Sequence, residues 1–90
     1  ALVALLSDRS YEVRKGAVLG RGHLGDPRAV GPLIRAVEDP SPSVLNAAAW
    51  ALQQVTKEDF GATRDLPLFR KDQPDLEAVR NRVRSWSARR

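Results

Sequence analysis

Residues 29–56 read AVGPLIRAVEDPSPSVLNAAAWALQQVT and hold two apolar patterns on either side of a short polar turn. The first pattern consists of Ala29, Val30, Leu33, Ile34 and Val37. The second pattern consists of Val44, Ala48, Ala51, Leu52 and Val55. Both follow the spacing of one face of a helix with about 3.6 residues per turn. The stretch therefore predicts a helical hairpin whose second helix runs from about Pro42 to Thr56.

The turn between the two helices is marked by Asp39, Pro40 and Ser41. Ser41 is a candidate N-cap, because a serine hydroxyl can accept a hydrogen bond from an N–H group of the first helical turn. Pro42 follows at the first helical position, where its missing N–H group has no helical partner to lose. Pro32 falls inside the first helix, so we expect it to kink that helix or to delay its start.

An earlier copy of this hairpin emerges when the sequence is shifted by 31 residues. The shift superimposes identical residues as follows: Leu2 on Leu33, Asp8 on Asp39, Ser10 on Ser41, Val13 on Val44, and Ala17 on Ala48. The copy predicts a second helix from about Tyr11 to Leu24, with Ser10 as its N-cap. Gly25 suits the left-handed residue that ends a helix, and Asp26 suits the N-cap of the next one.

The pattern lapses after Lys57 and resumes near the end of the chain. Apolar residues then recur with helical spacing at Leu76, Val79, Val83 and Trp86. They predict a last helix that begins near Gln73 or Pro74 and covers the apolar surface left open by the second hairpin.

The predicted fold class is all-α, an α-α superhelix. Its expected parts are one repeat at 1–30, a second repeat at 31–60, an extended loop at 61–73 and a C-terminal capping helix at 74–90. Together they are expected to form one domain, since 90 residues make at most one small core.

A family resemblance rests on Gly25-Asp26-Pro27-Arg28-Ala29-Val30, Pro32-Leu33-Ile34, Asp39-Pro40, and Val44 with Ala47-Ala48. These strings resemble the HEAT-like repeats first named after the phycobilisome bilin lyases, over roughly residues 1–60. The family often has arginine directly after the valine of each repeat; Arg14 matches this, whereas the second copy has Leu45. The resemblance implies a solenoid that acts as a scaffold. Because the chain begins within an apolar run and contains no Met, we expect a C-terminal fragment of a longer solenoid.

Composition restricts the function further. The chain has no cysteine and one histidine, so a disulfide framework, a thiolate metal site and a histidine-rich metal site are excluded within it. We therefore expect no cofactor and no metal. No run approaches the ~20 apolar residues of a membrane-spanning helix, and we expect a cytoplasmic protein that does not bind membranes. The net charge of +4 belongs to residues 70–90, which carry seven basic and three acidic groups, whereas residues 1–69 are balanced.

One glycine motif matches a nucleotide-binding pattern. Residues 20–25 read GRGHLG and match the dinucleotide pattern G-x-G-x-x-G. That chemistry needs a strand before the glycines and a helix after them, whereas these glycines lie at the end of a predicted helix. We interpret His23 as a polar residue near a helix end, and a single histidine with scattered acids supports no catalytic constellation.

The favoured function is a non-catalytic scaffold that binds a protein partner. Trp50 projects away from the apolar stripe of its helix together with Asn46 and Gln53, and Leu19 is its equivalent in the first copy. Second helices line the concave surface of stacked α-α repeats, where an aromatic side chain can anchor a partner. We therefore predict Leu19, Asn46, Trp50 and Gln53 as partner contacts, although Trp50 could instead pack against a neighbouring repeat or the C-terminal segment.

Two alternatives stay open. The last helix carries Arg80, Arg82 and Arg84, which could contact phosphates of a nucleic acid or an acidic partner, or could simply form a solvated face with ordinary ion pairs. The repeats could also be the scaffold part of a larger enzyme such as a bilin lyase.

Overall fold

The computed structural model describes residues 9–62 and 75–89. These ranges contain no strand. They form helix α1 (Tyr11–Leu24), a short 3-10 helix (Pro27–Ala29), α2 (Val30–Ala36), α3 (Pro42–Thr56) and α4 (Leu76–Ala88). The predicted all-α fold class is confirmed. The first helix of the first repeat and most of the predicted loop at 61–73 lie outside the described residues.

Helices α1 and α3 begin and end where the capping residues predict. Ser10 and Ser41 are the N-caps, both with extended backbones, but neither hydroxyl makes the expected capping bond. At the second turn the side chain of Asp39 accepts instead, from the N–H of Ser41 at 2.8 Å. Gly25 ends α1 with φ of 64°, and its N–H donates to the carbonyls of Arg21 and Gly22.

Between these helices Pro32 delays α2 rather than kinking it. Asp26 caps a 3-10 turn by accepting from the N–H of Arg28 at 2.9 Å. The α-helix then begins at Val30, so that Pro32 falls in its first turn, where a missing N–H is tolerated. Helix α2 is consequently short.

Helix α3 is the centre of the fold. It packs against α1, α2 and α4. Its buried residues run almost without interruption: Val44, Leu45, Asn46, Ala47, Ala48, Ala49, Ala51 and Leu52. The predicted one-sided stripe was therefore too narrow, and Val55 is only half-buried. A helix with neighbours on three sides must be apolar around most of its circumference.

The contact between α1 and α3 is closest at Gly22. A Cβ atom placed on this glycine would lie 2.9 Å from both Cα and Cβ of Ala51 and 3.0 Å from Cζ3 of Trp50. These distances are too short for a methyl group, so the absence of a side chain at Gly22 sets the separation of the two helices.

Helix α4 covers the other side of α3. Val79 and Val83 are buried, and Leu76 and Trp86 pack against the core. The helix begins at Leu76, after the predicted start near Gln73 or Pro74, because Asp75 is its N-cap and accepts from the N–H of Ala78 at 3.2 Å.

We predict opposite effects for two glycine substitutions within α1. Gly22→Ala should destabilise the protein by about 1–3 kcal/mol, because the added methyl group meets the backbone of Ala51. Gly20→Ala should stabilise it by about 0.5–1 kcal/mol, because that glycine is exposed and alanine favours the helix. Urea denaturation of the two variants measures the difference, and a shift of the same sign in both would contradict the close contact.

Candidate partner-binding surface

A partly buried ion pair sets the relation between α1 and the second hairpin. Arg14 donates from Nε to Oδ2 of Asp39 at 2.7 Å and from Nη2 to Oδ1 at 3.1 Å. The side chains are only 15% and 10% exposed. Two charge-assisted hydrogen bonds in parallel fix both distance and orientation. The turn that carries Asp39 is thereby held against α1. Leu45, at the position equivalent to Arg14, is buried and has no charge to form such a pair.

One surface strip crosses this pair of helices. Trp50 is half-buried and lies against Gly22, and its ring meets the ring of His23 edge-on with centroids 5.4 Å apart. His23 is exposed, and Leu19, one turn earlier on α1, is half-buried against the core. Gln54, one turn after Trp50 on α3, is exposed. We call Leu19, His23, Trp50 and Gln54 the aromatic strip.

Two of the four predicted contact residues belong to this strip, namely Leu19 and Trp50. Trp50 is also the residue for which packing against a neighbouring repeat was the alternative, and its contact with Gly22 is such packing. The ring thus has one side fixed by α1 while part of its surface stays accessible.

The structure corrects the expectation for Asn46, which is 1% exposed and cannot reach a partner at this surface. Asn46 and Gln53 are seven residues apart and share one face of α3. At Gln53 this face is covered by the chain after Lys57, which the helical period alone does not reveal.

Gln53 holds this covering segment in place. Its Oε1 accepts from the N–H of Phe60 at 3.0 Å and from the N–H of Ala62 at 2.8 Å, while its Nε2 donates to the carbonyl of Ala62 at 3.1 Å. Phe60 is thereby kept in the core, 2% exposed, with its ring edge-on to Trp86 at 5.6 Å. The amide of Gln53 is therefore occupied by the protein's own backbone rather than offered to a partner.

Two strip residues, His23 and Gln54, were not among the contacts predicted from the sequence. The 31-residue shift places His23 on Gln54, just as it places Leu19 on Trp50. Each of these polar residues lies one turn after a large apolar residue, and the two occupy equivalent positions in the two copies. This equivalence is a sequence pattern from which a shared surface could have been predicted.

The arginines of α4 do not form one open basic face. Arg84 binds Glu38 through two hydrogen bonds, from Nε to Oε1 at 2.7 Å and from Nη2 to Oε2 at 2.6 Å. These bonds lower the pKa of Glu38 below its ordinary value and raise the pKa of Arg84. Arg80 is half-buried.

Arg82, like Arg84, is exposed. It lies over Gly61, with Nη1 2.7 Å from the position that a Cβ atom would take there. It lines a groove between the segment after α3 and helix α4, in which Glu58 and Asp59 stand opposite Arg82 and Arg89. Acidic and basic groups line the same groove, so the positive charge of α4 is partly offset there.

Within residues 9–62 and 75–89 no group of three His, Asp or Glu side chains is placed to hold a metal ion. None of the helices in these ranges has the length and apolarity that spanning a membrane would take. The glycine motif is explained by the helix: Gly20 and Gly22 lie within α1 and Gly25 ends it.

Comparison with known proteins adds one positive finding. The family model that describes HEAT repeats matches residues 1–87. No curated protein and no solved structure matches the chain. The similarity to the bilin-lyase type of repeat and the longer solenoid stay predictions.

Gln53→Leu should destabilise the protein by about 2 kcal/mol, because the N–H groups of Phe60 and Ala62 lose their acceptor. The adjacent Gln54→Leu is the matched control and should change stability by less than about 0.5 kcal/mol, since Gln54 is exposed. Urea denaturation measures both. Equal effects would show that the amide of Gln53 does not hold the segment.

The pair between Glu38 and Arg84 predicts a pH dependence. The pKa of Glu38 is lowered in the folded protein by the hydrogen bonds from Arg84, so the stabilising contribution is present above the ordinary pKa of glutamate. It is lost as the pH falls from the ordinary pKa through the lowered pKa of the folded protein. Glu38→Gln should therefore lower the melting temperature at pH 7 and have a smaller effect at pH 3. Arg84→Gln should behave alike, and the double variant should show no additional loss; additive losses would contradict the pairing.

Proposed function

The chain belongs to the HEAT-repeat family, and from this we propose that it is a non-catalytic scaffold whose aromatic strip binds a protein partner. HEAT repeats generally serve as scaffolds for protein interactions. The observation that carries the proposal is the half-buried Trp50, fixed on one side by Gly22 and bordered by the exposed His23.

The packing of Trp50 supports a role as an anchor. Its contacts with Gly22 and His23 restrict the ring before a partner arrives, so little side-chain freedom is lost on binding. Tryptophan is also enriched among the residues that dominate binding energy at protein interfaces. Because the same ring packs against α1, Trp50→Ala would alter both binding and stability and is a poor test.

The arrangement of the strip supports a partner that crosses both helices. Each helix contributes one apolar and one polar residue, Leu19 with His23 on α1 and Trp50 with Gln54 on α3. The Arg14–Asp39 pair holds α1 and the turn before α3 in fixed register, so the two halves of the strip are presented together. A segment lying across the helices would meet apolar and hydrogen-bonding groups in alternation.

The proposal predicts a loss of binding when the exposed residues of the strip are made acidic. A photocrosslinking amino acid at position 54 first captures the partner from an extract of the source cells, with excess unmodified protein as competitor. The double variant His23→Glu with Gln54→Glu should then bind the purified partner at least about tenfold more weakly, which is about 1.4 kcal/mol. Titration calorimetry measures the affinity.

The matched control is Arg35→Glu, an exposed position on α2 away from the strip, which changes the net charge by the same amount. It should alter the affinity less than twofold, and all variants should melt like the parent. Equal affinities for the double variant and the parent would refute the role of the strip. The nucleic-acid alternative would be favoured instead if the protein bound mixed-sequence DNA or RNA with an affinity that falls steeply with salt. This binding should be lost in Arg82→Glu and survive in the double variant.

A further inference from the structure

Helix α4 and the segment after α3 enclose a groove that carries charges of both signs. The groove has a volume of about 390 Å³. Arg82 and Arg89 line one wall, from α4 and its C-cap, and Glu58 and Asp59 line the opposite wall. Trp86, which lies between the two arginines in the chain, lines the groove as well. We call these five residues the charged groove.

The core beneath the charged groove fixes its shape. Phe60 is buried and meets the half-buried ring of Trp86 edge-on, with centroids 5.6 Å apart. The N–H of Phe60 donates to Gln53 of α3, and α4 packs on α3 as well, so both walls are anchored on the same helix. Oδ1 of Asp59 accepts from the N–H of Gly61 at 2.8 Å, which orients this carboxylate. A site that is formed in advance loses little conformational freedom when a ligand binds.

The four charged side chains of the groove do not neutralise one another. All four residues are exposed, and among the ion pairs within residues 9–62 and 75–89 none joins the two walls. Arg84 of the same helix provides the contrast, because it binds Glu38 through two short hydrogen bonds. The acidic and basic groups of the groove therefore face one another across a space that suits a ligand with charges of both signs.

We infer that the charged groove binds a segment of a partner protein in which one basic side chain lies between two acidic ones. The basic group meets Glu58 and Asp59 beside the ring of Trp86, since carboxylates and an aromatic ring both attract a cation. The acidic groups pair with Arg82 and Arg89, which are seven residues and therefore about 10.5 Å apart along the helix axis. A helical segment with acids at i and i+7 and a base at i+4 has the same spacing.

A ligand with charges of only one sign does not match the groove. A nucleic acid would bring phosphates close to Glu58 and Asp59, and a uniformly basic segment would meet Arg82 and Arg89. The charged groove is formed by α4 and the segment after α3, whereas the aromatic strip lies on α1 and α3. The inference is therefore independent of the function proposed for the strip.

The test is an NMR titration of the isotopically labelled 90-residue chain. The probe is a capped, alanine-based helical peptide with Glu, Arg and Glu at positions i, i+4 and i+7. At low ionic strength it should bind with a Kd below about 1 mM and shift the amides of residues 58–61 and 82–89, while the indole N–H of Trp50 should not move. A second peptide with Gln in place of Arg should bind at least about threefold more weakly.

A variant of the groove tests the pairing of charges. Glu58→Gln should weaken binding of the first peptide at least about threefold and should not weaken binding of the second, because only the first peptide brings a cation to this carboxylate. Glu77→Gln is the matched control, an exposed acid of α4 that is not among the residues lining the groove, with the same change of charge. It should alter either affinity less than about 1.5-fold.

The inference is overturned if no shift saturates below about 5 mM peptide, or if Glu58→Gln weakens both peptides alike. Shifts that cluster at His23 and Trp50 would assign the peptide to the aromatic strip, which refutes the role of the groove and leaves the proposed function standing. A mixed-sequence oligonucleotide that shifts the amides of the groove, and that binds Glu58→Gln more tightly than the parent, would make the groove a phosphate site. That result would overturn the inference as well.

Discussion

The close packing around α3 is the constraint on which the rest of the structure depends. A helix enclosed by α1, α2 and α4 can be reached from three sides only if its own side chains are small, and four of its buried residues are alanines. Gly22 meets this requirement from the other side of the contact. Small side chains bury less apolar area per residue. This short fold compensates because three helices pack around the single helix α3.

Directional polar contacts then select one arrangement among the many that such smooth helices would permit. Alanine and glycine surfaces can slide past one another with little change in contact energy. The two parallel hydrogen bonds from Arg14 to Asp39, in contrast, form in only one register of the helices. The amide of Gln53 has a similar role for the segment after α3, and through Phe60 it places the ring against which Trp86 packs. These polar contacts therefore select the arrangement of the helices in addition to stabilising it.

Local signals in the sequence were sufficient to predict the helices but not to predict which side chains are accessible at the surface. The bounds of α1 and α3 follow from serine, proline and glycine positions, because caps act within one turn. The fate of Gln53 depends on Phe60 and Ala62, seven and nine positions later, which fold back over α3 without any periodic pattern. The pairing of Arg84 with Glu38 joins residues 46 apart, so the sequence showed a basic helix where the structure has a partly neutralised one. Leu19 and Trp50 were found because the internal repeat marks both.

The substitution of leucine for arginine at position 45 bears on how a protein of this kind can change in length. A genetic duplication of residues 1–31 copies both Asp8 and Arg14, the residue types that form the Arg14–Asp39 link. A unit inserted directly after α3 would face Leu45 and receive no such link. The two sides of the α3 unit therefore differ in their capacity for this kind of link, because Leu45 stands where the first copy has Arg14.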